Sequence, residues 1–272
     1  MSCFKRPINI FTDISTPVPN VNQQMSNLLL DSSTTPKGRS WPQDERGETA
    51  LHRACRRGVK QEVQSLLKDG ADGMARNKEN DTPIHIACRG GHQHIVQMLL
   101  KHIGPKNIEI KGKWEESLLH AASAGGSEEV VTYLLKQGVN VLVEMKDEYG
   151  NAAIHYACRN NHVEVVKILL KHYSIEEKGE FDMTLLHKAC SGGAMDVINY
   201  LITQGADIKA RDKLGNKCIH RACRYNHLVV VKKILEYLEL EWTEDVLHHE
   251  QKVGKEHGIS LSKVERSSDQ VN

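Results

Sequence analysis

Between residues 44 and 238 the apolar positions repeat one figure. An apolar residue followed by histidine occurs at Leu51-His52, Ile84-His85, Leu119-His120, Ile154-His155, Leu186-His187 and Ile219-His220, in steps of 33, 35, 35, 32 and 33 residues. Two residues after each histidine stands an alanine (Ala54, Ala87, Ala122, Ala157, Ala189, Ala222), then Cys55, Cys88, Ser123, Cys158, Cys190 or Cys223. Further on come two apolar pairs separated by two residues, such as Val165-Val166 and Leu169-Leu170. That spacing lays one apolar stripe along a helix. Each copy therefore predicts two helices. The first opens at an N-cap such as Thr82 with Pro83 at its first position, and the second is a segment such as Glu164–Lys171. Thr49, Ser117 and Thr184 repeat the capping hydroxyl, whereas Ala152 and Lys217 lack it, so the first helices of repeats four and six are expected to fray. Neither helix can bury its stripe alone, so the units must stack.

The closest copy to a known signature is Thr82-Pro83-Ile84-His85-Ile86-Ala87, followed by Gly91-His92 and a turn at Gly104. It resembles the ankyrin repeat, and six copies in register make the resemblance specific. The resemblance implies an all-α repeat solenoid, a stack of helix-turn-helix units joined by β-hairpin-like finger turns. The repeats read as 44–77, 78–111, 112–146, 147–178, 179–211 and 212–238. The residue before the second apolar pair is apolar in the inner four repeats (Met98, Tyr133, Ile168, Tyr200) and polar in the first and last (Ser65, Lys233). Terminal repeats need a wet outer side, so the array is expected to be complete at six.

Residues 1–43, with Pro7, Pro17, Pro19, Pro36 and Pro42 among Ser, Thr and Asn, read as a disordered arm. Residues 239–272, with 8 acidic and 4 basic residues, read as a largely disordered acidic tail, in which Trp242, Val246 and Leu247 suggest a short helix over the last repeat. Lys plus Arg (36) nearly balances Asp plus Glu (35), which argues against a dedicated nucleic-acid surface. No apolar run is long enough for a membrane span. Met1–Ile10 lacks the apolar region of a secretory signal, and the seven cysteines do not form a disulfide framework. The expected setting is cytoplasmic or nuclear, and the expected state monomeric.

Fifteen histidines and seven cysteines invite a metal reading. The repeat places one histidine per unit, however, at the roughly 8–10 Å spacing of packed helices, too wide for two rungs to share an ion bound at about 2 Å. What the resemblance implies is a histidine that holds backbone near the start of the first helix. The file Cys55, Cys88, Cys158, Cys190, Cys223 is expected to be buried and unreactive. With no catalytic or phosphate-cradling motif in view, the expectation is a non-enzymatic chain with no catalytic residues, no cofactor and no metal.

In ankyrin-repeat proteins partners usually meet the concave side, made of the fingers and the exposed face of the first helix. Basic residues recur on that face at Arg53, Arg56, Arg89, Arg159, Arg221 and Arg224, with Tyr225 beside the last. The finger position carries Trp114, Tyr149, Phe181 and Leu214 in four consecutive repeats. Aromatic and Arg side chains dominate interface energies. The expected partner is therefore another protein, presenting an acidic or acidic-apolar segment to a scaffold or adaptor. Two bland readings compete: the aromatics stiffen their turns, and the arginines are a solvated face paired with nearby Glu. Two alternative roles stand beside the adaptor. One is an inhibitor or retention factor similar to the inhibitors of NF-κB, although Asp31-Ser32-Ser33-Thr34-Thr35-Pro36 departs from their phosphodegron. The other is the cytosolic ankyrin arm of a larger channel or signalling protein.

Overall fold

The computed structural model describes residues 41–238; the readings made for the arm before residue 41 and for the tail, including Trp242, Val246 and Leu247, lie outside the described residues. Within them the chain forms six helix pairs: α1 (Ala50–Arg57) and α2 (Lys60–Lys68); α3 (Pro83–Arg89) and α4 (Gln93–Ile103); α5 (Leu118–Gly125) and α6 (Glu128–Glu144); α7 (Ala153–Arg159) and α8 (Val163–Leu169); α9 (Leu185–Gly192) and α10 (Met195–Thr203); α11 (Cys218–Arg224) and α12 (Leu228–Tyr237). Each first helix packs on its own second helix and on the first helix of the next pair. The predicted stripes form one continuous core: Leu51, Ile84, Leu119, Ile154, Leu186 and Ile219 are all buried, with Val63, Val96, Val131, Val166, Ile198 and Val231 from the second helices.

The repeat histidine explains how short helices hold their ends. In the first repeat the Thr49 hydroxyl lies 2.9 Å from His52 Nδ1, and the Thr49 N–H donates to the same nitrogen. Ser117 does the same for His120 at 2.7 Å, and Thr184 for His187 at 2.8 Å. Because Nδ1 accepts, the ring proton sits on Nε2 and donates onward. His52 donates to the Asp81 carbonyl at 3.2 Å, His120 to Asn151 at 2.9 Å and His187 to Asn216 at 3.0 Å. The fraying expected for repeats four and six does not show in helix length: α7 and α11 have 7 residues, as α3 has. The imidazole supplies the reason, since the N–H groups of Ala152 and Lys217 still donate to His155 and His220 Nδ1, at 3.1 and 2.9 Å.

The six units are not equivalent. Joints from an odd to an even repeat use the onward histidine bond, and a second imidazole closes each one. His92, His162 and His227, just before α4, α8 and α12, bond the carbonyls of Arg56, Ala124 and Ser191. The fingers are tied as well, by the N–H of Lys78 to Arg46 O, of Glu148 to Trp114 O and of Lys213 to Phe181 O. Joints from an even to an odd repeat are built differently. There Asp81 Oδ1 accepts from Lys113 N–H and Asn151 Oδ1 from Glu180 N–H, both at 3.0 Å. Gly112 and Gly179 press on His85 and His155, leaving both Nε2 atoms buried without a hydrogen-bond partner. A Cβ at either glycine would stand 2.9 Å from that nitrogen, so no larger residue fits without displacement. The array is thus three double repeats laid end to end.

The expected hairpin-like fingers reduce to tight turns: the two bridges among the described residues, Lys111–Ser117 and Lys178–Thr184, flank the fingers of repeats three and five. The second helix expected at Glu164–Lys171 is Val163–Leu169. In repeat three, α6 kinks at Gly138 and continues to Glu144, burying Leu142.

The cysteine file differs from expectation at one place. Cys55, Cys88, Cys158 and Cys190 are buried free thiols, whereas Cys223 is half-buried. Burial pushes the Cys55 thiol up to about 12 and raises the Cys88, Cys158 and Cys190 thiols well above the ordinary thiol range. Site-mapped alkylation of the folded protein should therefore label Cys223 first among these five, since the other four lie out of reach of the reagent. Equal labelling of all five would contradict the packing.

Candidate functional site

Three finger side chains and one at the end of α11 are exposed: Tyr149 is 47% exposed, Phe181 52% and Leu214 63%, and Tyr225, after α11, 44%. Trp114 is half-buried. Its ring meets Tyr149 edge-on at 6.4 Å, and Lys113 Nζ stands 4.0 Å above it. Trp114 and Phe181 sit at φ values of 52° and 53°, the left-handed region, where a residue with a side chain is held at a cost of about 1–3 kcal/mol. Gly150 and Gly215 take that region at the neighbouring fingers, one residue after Tyr149 and Leu214. Repeats three and five therefore present their aromatic from a strained turn, and the odd-to-even joint fixes it through the aromatic's own carbonyl.

The basic residues divide into two groups. In repeats one, four, five and six the residue after the histidine faces its own finger: Arg53 pairs with Asp44 at 3.4 Å, Tyr156 donates to Asp147 at 2.8 Å, Lys188 pairs with Glu180 at 2.8 Å, and Arg221 Nε donates to Asp212 at 2.9 Å. Arg221, only 6% exposed, is thereby buried on its own acid and does not offer its guanidinium to a partner. Burial pushes the Tyr156 phenol up, with Glu116 and Asp147 adding to it. Burial lowers the Lys188 pKa against the pull of Glu180, and the neighbouring Arg159 lowers it further.

Four residues beyond the histidine the pattern changes along the array. Arg56 pairs with Glu48, and Arg89 bridges Asp81 at 2.8 Å and Glu116 at 2.9 Å. Burial opposes the Asp81 charge, yet Arg89 and the Lys113 N–H outweigh it and hold its pKa below 3.8. Arg159, exposed, and Arg224, half-exposed, have no ion pair among the described residues. Sequence reasoning grouped all six arginines in one stripe. The informative column is the residue before each N-cap, which reads Glu48, Asp81, Glu116, Asn151, Met183, Asn216. Acids occupy it in the first three repeats and neutral residues in the last three.

A face of this kind, carried on stacked helix pairs, defines a repeat scaffold. The family profile described as ankyrin repeats (3 copies) matches residues 22–111, 103–179 and 173–244, and the chain belongs to the ankyrin-repeat family, whose repeats serve generally as protein-interaction modules. Short stretches are similar to other proteins. Over 41 residues the chain is 54% identical to human protein-tyrosine sulfotransferase 1 and 56% identical to the protein-tyrosine sulfotransferase of Drosophila melanogaster. Over 62 residues it is 44% identical to zebrafish (Danio rerio) protein-tyrosine sulfotransferase 1. These matches cover 15%, 15% and 21% of this chain and 11%, 8% and 17% of those proteins, so it spans about a tenth of the curated relatives it matches.

Proposed function

We propose that the array is a non-enzymatic adaptor that holds an acidic-apolar segment of another protein along its fingers and first helices, acting as a monomer in the cytoplasm or nucleus. The observation that carries this reading is the row Tyr149, Phe181, Leu214: large apolar side chains in water on consecutive turns, in repeats two of which end their first helix in an arginine, Arg159 and Arg224, that reaches solvent. Apolar anchors supply buried area and arginines supply direction and register. Selection of displayed peptides on the purified full chain should enrich segments that combine acidic and apolar residues. The double variant Tyr149→Ser/Phe181→Ser, at exposed positions, should stay folded and bind them at least about 30-fold more weakly, the effect of about 2 kcal/mol at an anchor. Undiminished binding by that variant, or no enriched peptide of any kind, would overturn the reading.

The sulfotransferase stretch favours a second reading, in which the repeats are one arm of a longer enzyme-bearing chain. A transcript that joins the repeats to a sulfotransferase reading frame, with sulfate transferred to tyrosine by its full-length product, would decide for it.

A further inference from the structure

We infer that the anion-accepting part of this face lies in repeats four to six, where Arg159 and Arg224 take two acidic side chains of a single extended segment and Phe181 and Leu214 seat an apolar residue between them. The inference rests on the reading of the array as a protein-binding module and says where, and by what spacing, the partner is held.

The arginine position is the same in repeats one, two, four and six: four residues after the histidine, in the last turn of the first helix. Arg56 and Arg89 are neutralised there by buried acids that precede an N-cap, Arg56 by Glu48 of its own repeat, and Arg89 by its own Asp81 and by Glu116 of the next. For Arg159 the two corresponding positions hold Asn151 and Met183, and for Arg224 the position in its own repeat holds Asn216. Asn151 is committed elsewhere, donating to Asp147 and accepting from Glu180 N–H. Among the described residues, the position before the N-cap that supplies these arginines with counter-ions in the first half of the array carries no acid in the second, which leaves Arg159 and Arg224 to take carboxylates from a bound segment. Between the two arginines, Ser191 turns its hydroxyl to the His187 carbonyl and Lys188 is engaged by Glu180, leaving neither to compete for an incoming acid.

Spacing follows from the stack. Two steps of roughly 8–10 Å each separate the arginines, the reach of about five or six residues of extended chain at about 3.3 Å per residue. The matching segment carries acidic residues that far apart and an apolar residue near the middle.

The test uses a fluorescent peptide, Glu-Glu-Ser-Leu-Phe-Ser-Glu-Glu, and its all-Gln counterpart, titrated onto the full chain and followed by anisotropy. Met183→Glu places beside Arg159 the counter-ion that Glu116 gives Arg89, so it removes the free charge by an arrangement the fold already contains. Arg224→Gln removes the other at a half-exposed position and keeps the test alive should Met183→Glu not fold. Each should weaken the acidic peptide about tenfold, as expected for one lost charge-assisted contact, and the Gln peptide should bind more weakly than the acidic one to the unaltered protein. Equal binding of the acidic peptide by wild type and both variants would overturn the inference while leaving the binding module intact. So would binding of peptides selected on the chain without binding of this one. Failure of every selected peptide would remove the module reading, and the inference with it.

Discussion

Gly192→Ala should destabilise the array by about 3 kcal/mol or more, measured by urea denaturation, and Gly125→Ala should do the same. Both glycines end the first helix of an odd repeat and lie against the last carbonyl of the preceding even one. A Cβ at Gly192 would stand 1.8 Å from Arg159 O, and at Gly125 2.1 Å from Arg89 O. The obstacle is backbone, so no rotamer relieves it and the two helices must separate. Repeat four carries Asn160 at the same place, where its Nδ2 donates to Ala124 O at 2.9 Å. Asn160→Ala should therefore lose only about 1 kcal/mol, one hydrogen bond's worth. A Gly192→Ala protein as stable as Asn160→Ala would mean that even-to-odd joints are looser than drawn.

Stability should also fall steeply as pH drops below 6.5. His52, His85, His120, His155 and His187 are buried, and burial lowers the pKa of each from 6.5, to about 4 for His85 and about 3 for His155. Above 6.5 both folded and unfolded chains hold these rings neutral, so the full stability is present. Below 6.5 the unfolded chain takes up protons that the folded chain refuses. Each ring then withdraws about 1.4 kcal/mol per pH unit until the folded pKa is reached. Urea midpoints at pH 7.5, 6 and 5 should decline more steeply than one titrating group allows, well above the carboxylate range. His85→Gln should flatten the decline. A midpoint constant from pH 7.5 to 5 would rule out neutral buried rings.

Much of the scaffold was legible in the sequence because its signal is local. The histidine period, the Thr82-Pro83 helix start and the paired apolar residues depend on neighbours within one turn or two. The alternation of joints was also written there, in Leu-His for repeats one, three and five against Ile-His for two, four and six, and in His92, His162 and His227. A single consensus over the six copies hides it, because the alternating residues differ from one repeat to the next. The candidate face was less legible, since counter-ions cross repeat boundaries. Arg89 and Glu116 lie 27 residues apart and meet only through the stack. A list of arginines cannot separate Arg89 from Arg159 until the residue before each N-cap is placed beside it. Arg221 was misplaced for a related reason, because Asp212 lies 9 residues earlier and the finger folds it back onto the helix.

The two kinds of joint also bear on how such a gene can grow or shrink. Excising or copying a stretch that runs from one odd repeat to the next, the 68 residues from His52 to His120 for instance, would rejoin matching surfaces. Losing one unit would join an odd repeat to an odd one, without the imidazole that joint requires, or an even repeat to an even one, without the glycine. Lineages should therefore change length in pairs of modules.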